Sequence, residues 1–187
     1  MSSVLKQEKV LYHTSNQIIK VPDIHRGRKN ADFGQGFYLT PDKEFALRWA
    51  GEGAVVNEYI FDSTGLEIRS FSRTKDWFEY IFQNRRAKDS INADAVIGPV
   101  ANDTLYDTFG IITSGFLSPD EALRLLLIGP EYTQYAIKSR KAVNQLRWTA
   151  AYKAEDSYKY RDLVKKEEQE YQRLFAEEMQ KIAENTQ

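Results

Sequence analysis

The spacing of apolar positions changes several times along the chain, and the changes predict a mixed α and β protein. The run Val10-Leu11-Tyr12, leading into His13, predicts a short buried strand. Residues 16–35 hold no apolar period and are broken by Pro22, Gly27 and Gly34, which predicts a long loop. A loop of that length inside a compact domain usually serves a function. Residues 36–40 predict a second strand, followed by a helix start with Thr40 as N-cap, Pro41 at the first helical position, and Asp42 and Glu44 in the first turn. Phe45, Ala46 and Trp49 then recur at helical spacing, as core residues ordinarily do.

Residues 54–61 alternate as a strand does, and residues 66–71 predict a weaker one. Thr74 opens a helix whose apolar face is Trp77, Phe78, Ile81 and Phe82, and residues 93–97 form an apolar strand closed by Gly98-Pro99. Ser118-Pro119-Asp120-Glu121 reads as a capping box with proline at the first helical position; its helix runs through Leu123, Leu126 and Leu127 to Gly129-Pro130. Residues 132–138 predict the last strand, and Ser139 can cap a helix after it.

From about residue 139 the chain lacks proline and glycine and reads as predominantly helical, turning markedly polar after Trp148. Tyr160, Leu163, Val164, Tyr171, Leu174, Phe175, Met179 and Ile182 recur at three- and four-residue steps, forming one stripe that needs something to bury against. It either folds back on the domain, frays as a solvated helix, or serves as a partner-binding arm. The division this predicts is a domain over residues 1–145 and a C-terminal amphipathic helical extension over residues 146–187.

Composition narrows the reading. At 187 residues and 42% hydrophobic side chains, the chain supports one sizeable core. A formal net charge of −1 gives no basic excess that would demand a polyanionic partner. The absence of cysteine excludes disulfides, thiolate metal sites and a cysteine nucleophile, and leaves any metal to carboxylates and two histidines, so none is expected. Neither a signal-peptide core nor an 18-residue apolar run is present, which predicts no membrane span and a cytoplasmic protein, or one exported without an N-terminal signal.

The candidate chemistry is concentrated in a few segments: Leu11-Tyr12-His13-Thr14-Ser15, the Gly27-Arg28 pair, Asp32-Phe33-Gly34-Gln35-Gly36-Phe37-Tyr38-Leu39-Thr40, Asp94-Ala95-Val96-Ile97-Gly98-Pro99-Val100-Ala101-Asn102-Asp103, and Gln134 within Tyr132-Thr133-Gln134-Tyr135. In this order they resemble the bacterial family known as domain of unknown function 3990, over roughly residues 8 to 145. That family is placed with the NAD-dependent ADP-ribosyltransferases of the histidine–tyrosine–glutamate type, similar to diphtheria toxin and the poly(ADP-ribose) polymerases. The resemblance implies an α+β fold of two small, mostly antiparallel sheets around a cleft, a split β-sandwich with peripheral helices and the C-terminal helical extension. It implies a mono-ADP-ribosyltransferase with NAD as co-substrate, acting as a toxin of a toxin–antitoxin or defence system. Its partners would be a macromolecular acceptor, protein before nucleic acid, and a small helical antitoxin.

The residues suit NAD on their own chemistry. A flat cationic nicotinamide ring is favoured by aromatic faces. Tyr38 stands where the resemblance places a stacking tyrosine, and Trp49 where the polymerases carry a second one. His13 could donate a ring N–H to the adenosine ribose while the backbone of Thr14 pairs with the carboxamide. Arg28, and less directly Arg26, could meet the pyrophosphate from the long loop, and Gly36 would let the backbone approach the cofactor. Asp32-Phe33-Gly34-Gln35-Gly36 lacks the third glycine of a dinucleotide fingerprint, so a Rossmann site is not indicated. Gln134 falls where the resemblance implies a glutamate, whose charge would stabilise the cation formed as nicotinamide leaves. Glutamine keeps the hydrogen bond and loses the charge, which disfavours poly(ADP-ribose) elongation, while Glu131 lies three residues upstream as another carboxylate. Asn102 and Asp103 belong either to a structural turn or to a loop facing the site. The rival readings are an NAD glycohydrolase, a silent NAD- or ADP-ribose-binding module, and an interaction protein acting through its tail.

Overall fold

A computed structural model describes residues 7–51, 53–102, 108–112, 114–154 and 157–185. Among these residues, seven strands form two sheets. β1 (Glu8–Ser15), β3 (Val55–Asp62) and β7 (Leu146–Lys153) make an antiparallel sheet in the order β1-β3-β7. β2 (Phe37–Leu39), β6 (Thr133–Ile137), β5 (Ala95–Pro99) and β4 (Ile68–Ser70) make a second sheet in the order β2-β6-β5-β4, antiparallel except for the β4–β5 pair. Among the described residues, six α-helices accompany them: α1 (Lys43–Arg48), α2 (Lys75–Asn84), α3 (Phe109–Ile112), α4 (Pro119–Leu126), α5 (Arg140–Asn144) and α6 (Ser157–Asn185). The protein is therefore α+β, with its sheets joined by a bridge in which Tyr12 and Thr40 exchange both backbone hydrogen bonds, at 2.8 and 2.9 Å.

Two apolar clusters hold these layers. Leu11, Phe37, Leu39, Tyr59, Phe61, Ile137 and Leu146 bury the inner strand faces against each other. Phe33, Trp77, Ile81, Val96, Leu125, Tyr171 and Phe175 seal the β2-β6-β5-β4 sheet beneath α2, α4 and α6. The distal stripe of α6 is thus covered by the protein itself, through Tyr171, Phe175 and Ile182, whereas Leu163 nearer its start is 43% exposed. Among the described residues, no helix is long and apolar enough to cross a membrane.

Several sequence expectations change. Thr40 does not cap α1: its N–H and carbonyl are committed to Tyr12, and the cap moves to Asp42, whose carboxylate accepts from the N–H groups of Glu44 and Phe45. On α2, Tyr80 is buried while Phe82 is 38% exposed and carries the Arg86 guanidinium over its ring. Gly98-Pro99 does not stop β5, because Pro99 pairs with Thr133 at the strand's end, where its missing N–H costs little.

The largest change is β7, which lies where helix was expected and adds a third strand beside β3. Its register shifts between Glu58 and Tyr59, leaving Thr149 as an extra residue between Trp148 and Ala150. That bulge scrambles the two-residue alternation by which a strand is read. The boundary expected at 145/146 therefore falls at the start of a sheet strand, and only α6 remains as helical extension. The loop at 16–35 is as long as expected but well tied: buried Asn57 accepts from the N–H of Ile19 and donates to the carbonyl of Gln17, and Tyr59 donates to the carbonyl of Ile19.

Candidate functional site

Next to the Tyr12–Thr40 bridge a cavity of about 590 Å³ lies between β1, β2, α1, the 28–32 segment and the end of α2. His13, Thr14, Arg28, Asp32, Tyr38, Phe45, Trp49, Arg85 and Gln134 are among the residues that line it. Because Tyr12 turns its backbone groups toward β2, strand alternation turns those of Thr14 the same way, away from β3 and toward the opening. The Thr14 hydroxyl is engaged, donating to the carbonyl of Ala46 on α1.

His13 has a defined tautomer. Its Nδ1 lies 2.7 Å from the carbonyl oxygen of Tyr38, which can only accept, so Nδ1 carries the proton. Burial lowers the His13 pKa, partly opposed by that hydrogen bond, and keeps the ring neutral. Nε2 is therefore an acceptor, and the expected donation from His13 to a ribose hydroxyl reverses: the hydroxyl would donate to His13.

Tyr38 is equally constrained. Its hydroxyl donates to the carbonyl of Gly34 at 2.7 Å and accepts from the N–H of Phe33 at 2.9 Å, fastening the ring to the turn that precedes β2. Burial, and then the Asp32 carboxylate, raise its pKa, so it stays a phenol. Gly34 adopts φ +76°, which favours glycine in that turn. Trp49, at the end of α1, is 52% exposed and stands edge-on to Phe45, with ring centroids 6.0 Å apart. It borders the cavity and is not the core residue its spacing suggested.

The opposite wall is ionic. Asp32 is 7% exposed. Its Oδ1 accepts from Arg85 Nη2 at 2.7 Å and Nε at 3.1 Å, and its Oδ2 accepts from the N–H of Ala101 at 3.2 Å. The same Oδ2 accepts from Gln134 Nε2 at 3.1 Å, while Nε2 also reaches the carbonyl of Pro99 at 3.3 Å. Both partners of Nε2 are acceptors, so the amide orientation is fixed chemically. Oε1 accepts no hydrogen bond among the described residues, and Gln134 borders the cavity.

The cavity thus gathers His13, Thr14, Arg28, Tyr38, Trp49 and Gln134, which lie far apart in sequence. Gly36 does not line it. Its backbone packs against Gly27 and the carbonyl of Ile137, with no room for a Cβ on either glycine, and it faces a second, smaller cavity that Arg26 also lines. Arg28 is exposed at the cavity edge. Asn102 is structural, its amide tied to the carbonyl of Ile128 and its oxygen to Arg73, while Asp103 lies outside the described residues. Glu131 pairs with Arg73 at 3.7 Å.

Asp32 and Arg85 are the residues that sequence reasoning missed. Asp32 stood at the edge of a glycine-rich segment, where an acid ordinarily favours a turn. Arg85 adjoins Arg86, and nothing in the sequence separates the guanidinium paired with Asp32 from the one resting on Phe82.

No curated protein and no solved structure matches the chain. The family described as "Protein of unknown function (DUF3990)" matches residues 9–148, which hold His13, Tyr38, Asp32, Arg85 and Gln134 together. With most of its length matched, and the whole lining of the cavity inside the match, the chain belongs to that family.

Proposed function

We propose that the cavity binds NAD and that the protein is a mono-ADP-ribosyltransferase, its paired sheets being the split β-sandwich cleft of that superfamily. The carrying observation is the convergence of His13, Tyr38, Trp49 and Gln134 on one cavity whose size suits a small organic ligand. A nicotinamide ring lies between the Tyr38 face and the half-exposed Trp49, both rewarding a cationic aromatic. The outward backbone edge of Thr14 pairs with the carboxamide, neutral His13 accepts from a ribose hydroxyl, and Arg28 meets the pyrophosphate at the mouth.

In the reaction the bond from ribose C1′ to the nicotinamide nitrogen breaks, and its electron pair leaves with neutral nicotinamide. Positive charge develops across C1′ and the ring oxygen, and Gln134 Oε1 accepts from the 2′-hydroxyl to stabilise it. A nucleophile of the acceptor then forms the new bond to C1′ and releases its proton to solvent. The setting that suits this chemistry is a cytoplasmic bacterial toxin or defence protein with a macromolecular acceptor.

Incubating the protein with NAD labelled in the adenylate, together with a bacterial lysate, tests the reading. Label on protein or nucleic acid, with nicotinamide released, supports transfer. Nicotinamide release without labelled macromolecule selects the glycohydrolase, and NAD binding without turnover selects the silent module. Absence of NAD binding by calorimetry removes the reading.

A further inference from the structure

The Asp32 carboxylate lies 3.1 Å from Gln134 Nε2 on the side away from the Gln134 oxygen. We propose that Asp32 is the positioning residue of the site: held by Arg85 and the Ala101 amide, it turns the Gln134 oxygen into the cavity and polarises that amide. The inference rests on the NAD reading, and it assigns the negative charge missing at position 134 to a residue 102 positions earlier in the chain.

The geometry carries this in three steps. First, Oδ2 of Asp32 and the carbonyl of Pro99 take both Nε2 hydrogens, so Oε1 cannot exchange places with Nε2 without setting two oxygens against an oxygen. Second, hydrogen bonds in series polarise one another, so an anionic acceptor on the N–H side raises the electron density at Oε1. Third, Arg85 and the Ala101 N–H hold the carboxylate with three hydrogen bonds, fixing its position. Asp32 takes no proton and forms no bond in the transfer; it sets the field of Gln134 as the C1′–nitrogen bond opens. Tyr38 on β2 and Trp49 at the end of α1 make no hydrogen bond to this carboxylate, the Tyr38 hydroxyl being held by the backbone of Phe33 and Gly34, so the ground-state stack is expected to survive its loss.

Restoring glutamate at position 134 should therefore harm the enzyme. Gln134→Glu sets a second carboxylate against Asp32, where two like charges at hydrogen-bond distance cannot both ionise comfortably. Asp32→Asn presents an N–H₂ to the N–H₂ of Gln134 and turns Oε1 from the cavity. Asp32→Asn with Gln134→Glu restores a donor facing an acceptor and puts one negative charge at the cavity wall.

The test measures nicotinamide release and NAD affinity for the full chain and these three variants, with melting curves to verify folding. Each single variant should lose about tenfold or more in kcat, on the scale of a lost preorganised site contact, with NAD affinity changing far less. The double variant should recover activity above both singles. A merely structural Asp32 would lower stability with no kcat-specific loss and no rescue, which overturns the inference. A Gln134→Glu variant faster than the parent also overturns it, and this arm decides the matter should Asp32→Asn fail to fold. A parent that neither binds NAD nor releases nicotinamide overturns the NAD reading and, with it, this inference; an active parent with an unaffected Asp32→Asn overturns the inference alone.

Discussion

The two walls of the cavity are built on different principles. The wall formed by β1, β2 and α1 is aromatic and uncharged: neutral His13, phenolic Tyr38, Phe45 and Trp49. The facing wall is a partly buried ion pair, Asp32 with Arg85, linked to the Gln134 amide. Stacking surfaces act on a bound ring before reaction as much as during it, whereas fixed charges and dipoles act most where charge develops. Under the proposed function, one wall sets affinity and the other sets rate.

The sharpest break of that contrast is Asp32→Ala. It leaves the Arg85 guanidinium, whose side chain is 11% exposed, without the carboxylate that accepts two of its hydrogen bonds. Losing a charged hydrogen-bond partner in such a pair costs about 1.5–3 kcal/mol. Urea unfolding should show a loss of that size, and one below about 1 kcal/mol would mean that the ionic wall is not held by this pair.

The next effect is expected on the aromatic wall. Tyr38→Ala should weaken NAD binding by about 2 kcal/mol or more, as truncation of a buried aromatic anchor does. Exposed Arg28→Ala should cost under about 1 kcal/mol. Calorimetry returning the opposite order would transfer affinity from stacking to charge.

Trp49→Ala separates binding from folding. Because the ring is half exposed, stability should stay within about 0.5 kcal/mol of the parent. NAD affinity should fall by about 0.5–1.5 kcal/mol if the indole completes the stack. Unchanged affinity would leave Tyr38 as a one-sided platform.

The smallest effect is a pH dependence through His13. Burial depresses its folded pKa below the ordinary 6.5, so on acidification the unfolded chain takes up this proton first. The stabilisation from neutral His13 is complete above about pH 6.5 and is lost as pH falls from there toward the folded pKa. Denaturant midpoints should therefore drop more steeply with acid in the parent than in His13→Gln. Parallel profiles would show that His13 is not held neutral.

Much was legible from local signals, because capping and turn chemistry act over a few residues. The capping box forms as read, with Ser118 and Glu121 satisfying each other's N–H groups, and Ser139 caps α5. The strands at β1, β3 and β6 follow their apolar runs. The resemblance singled out the segments of His13 and Tyr38, and both residues line the same cavity.

Other features depended on pairing across distance. β7 is a strand because β3 offers an edge and tolerates a bulge at Thr149, and an eight-residue window that reads as polar helix contains neither fact. Asp42 takes the cap of α1 because Thr40 is committed to Tyr12, 28 positions away. The apolar stripe of α6 could be read from its period, but not that Tyr171, Phe175 and Ile182 would bury against α4 and the β2-β6-β5-β4 sheet.

The sequence by itself determined that this is a mixed α and β chain and marked the histidine and tyrosine segments that the fold brings to one cavity, because periodicity and side-chain chemistry are local properties. Only the tertiary structure decided which nitrogen of His13 bears the proton, which of two adjacent arginines pairs with Asp32, and that the Asp32 carboxylate accepts from the Gln134 amide. Those outcomes depend on distances between groups remote in the chain. Hydrogen-bond direction and the strength of a buried charge pair are set by those distances and by exclusion of water, neither of which a one-dimensional pattern encodes.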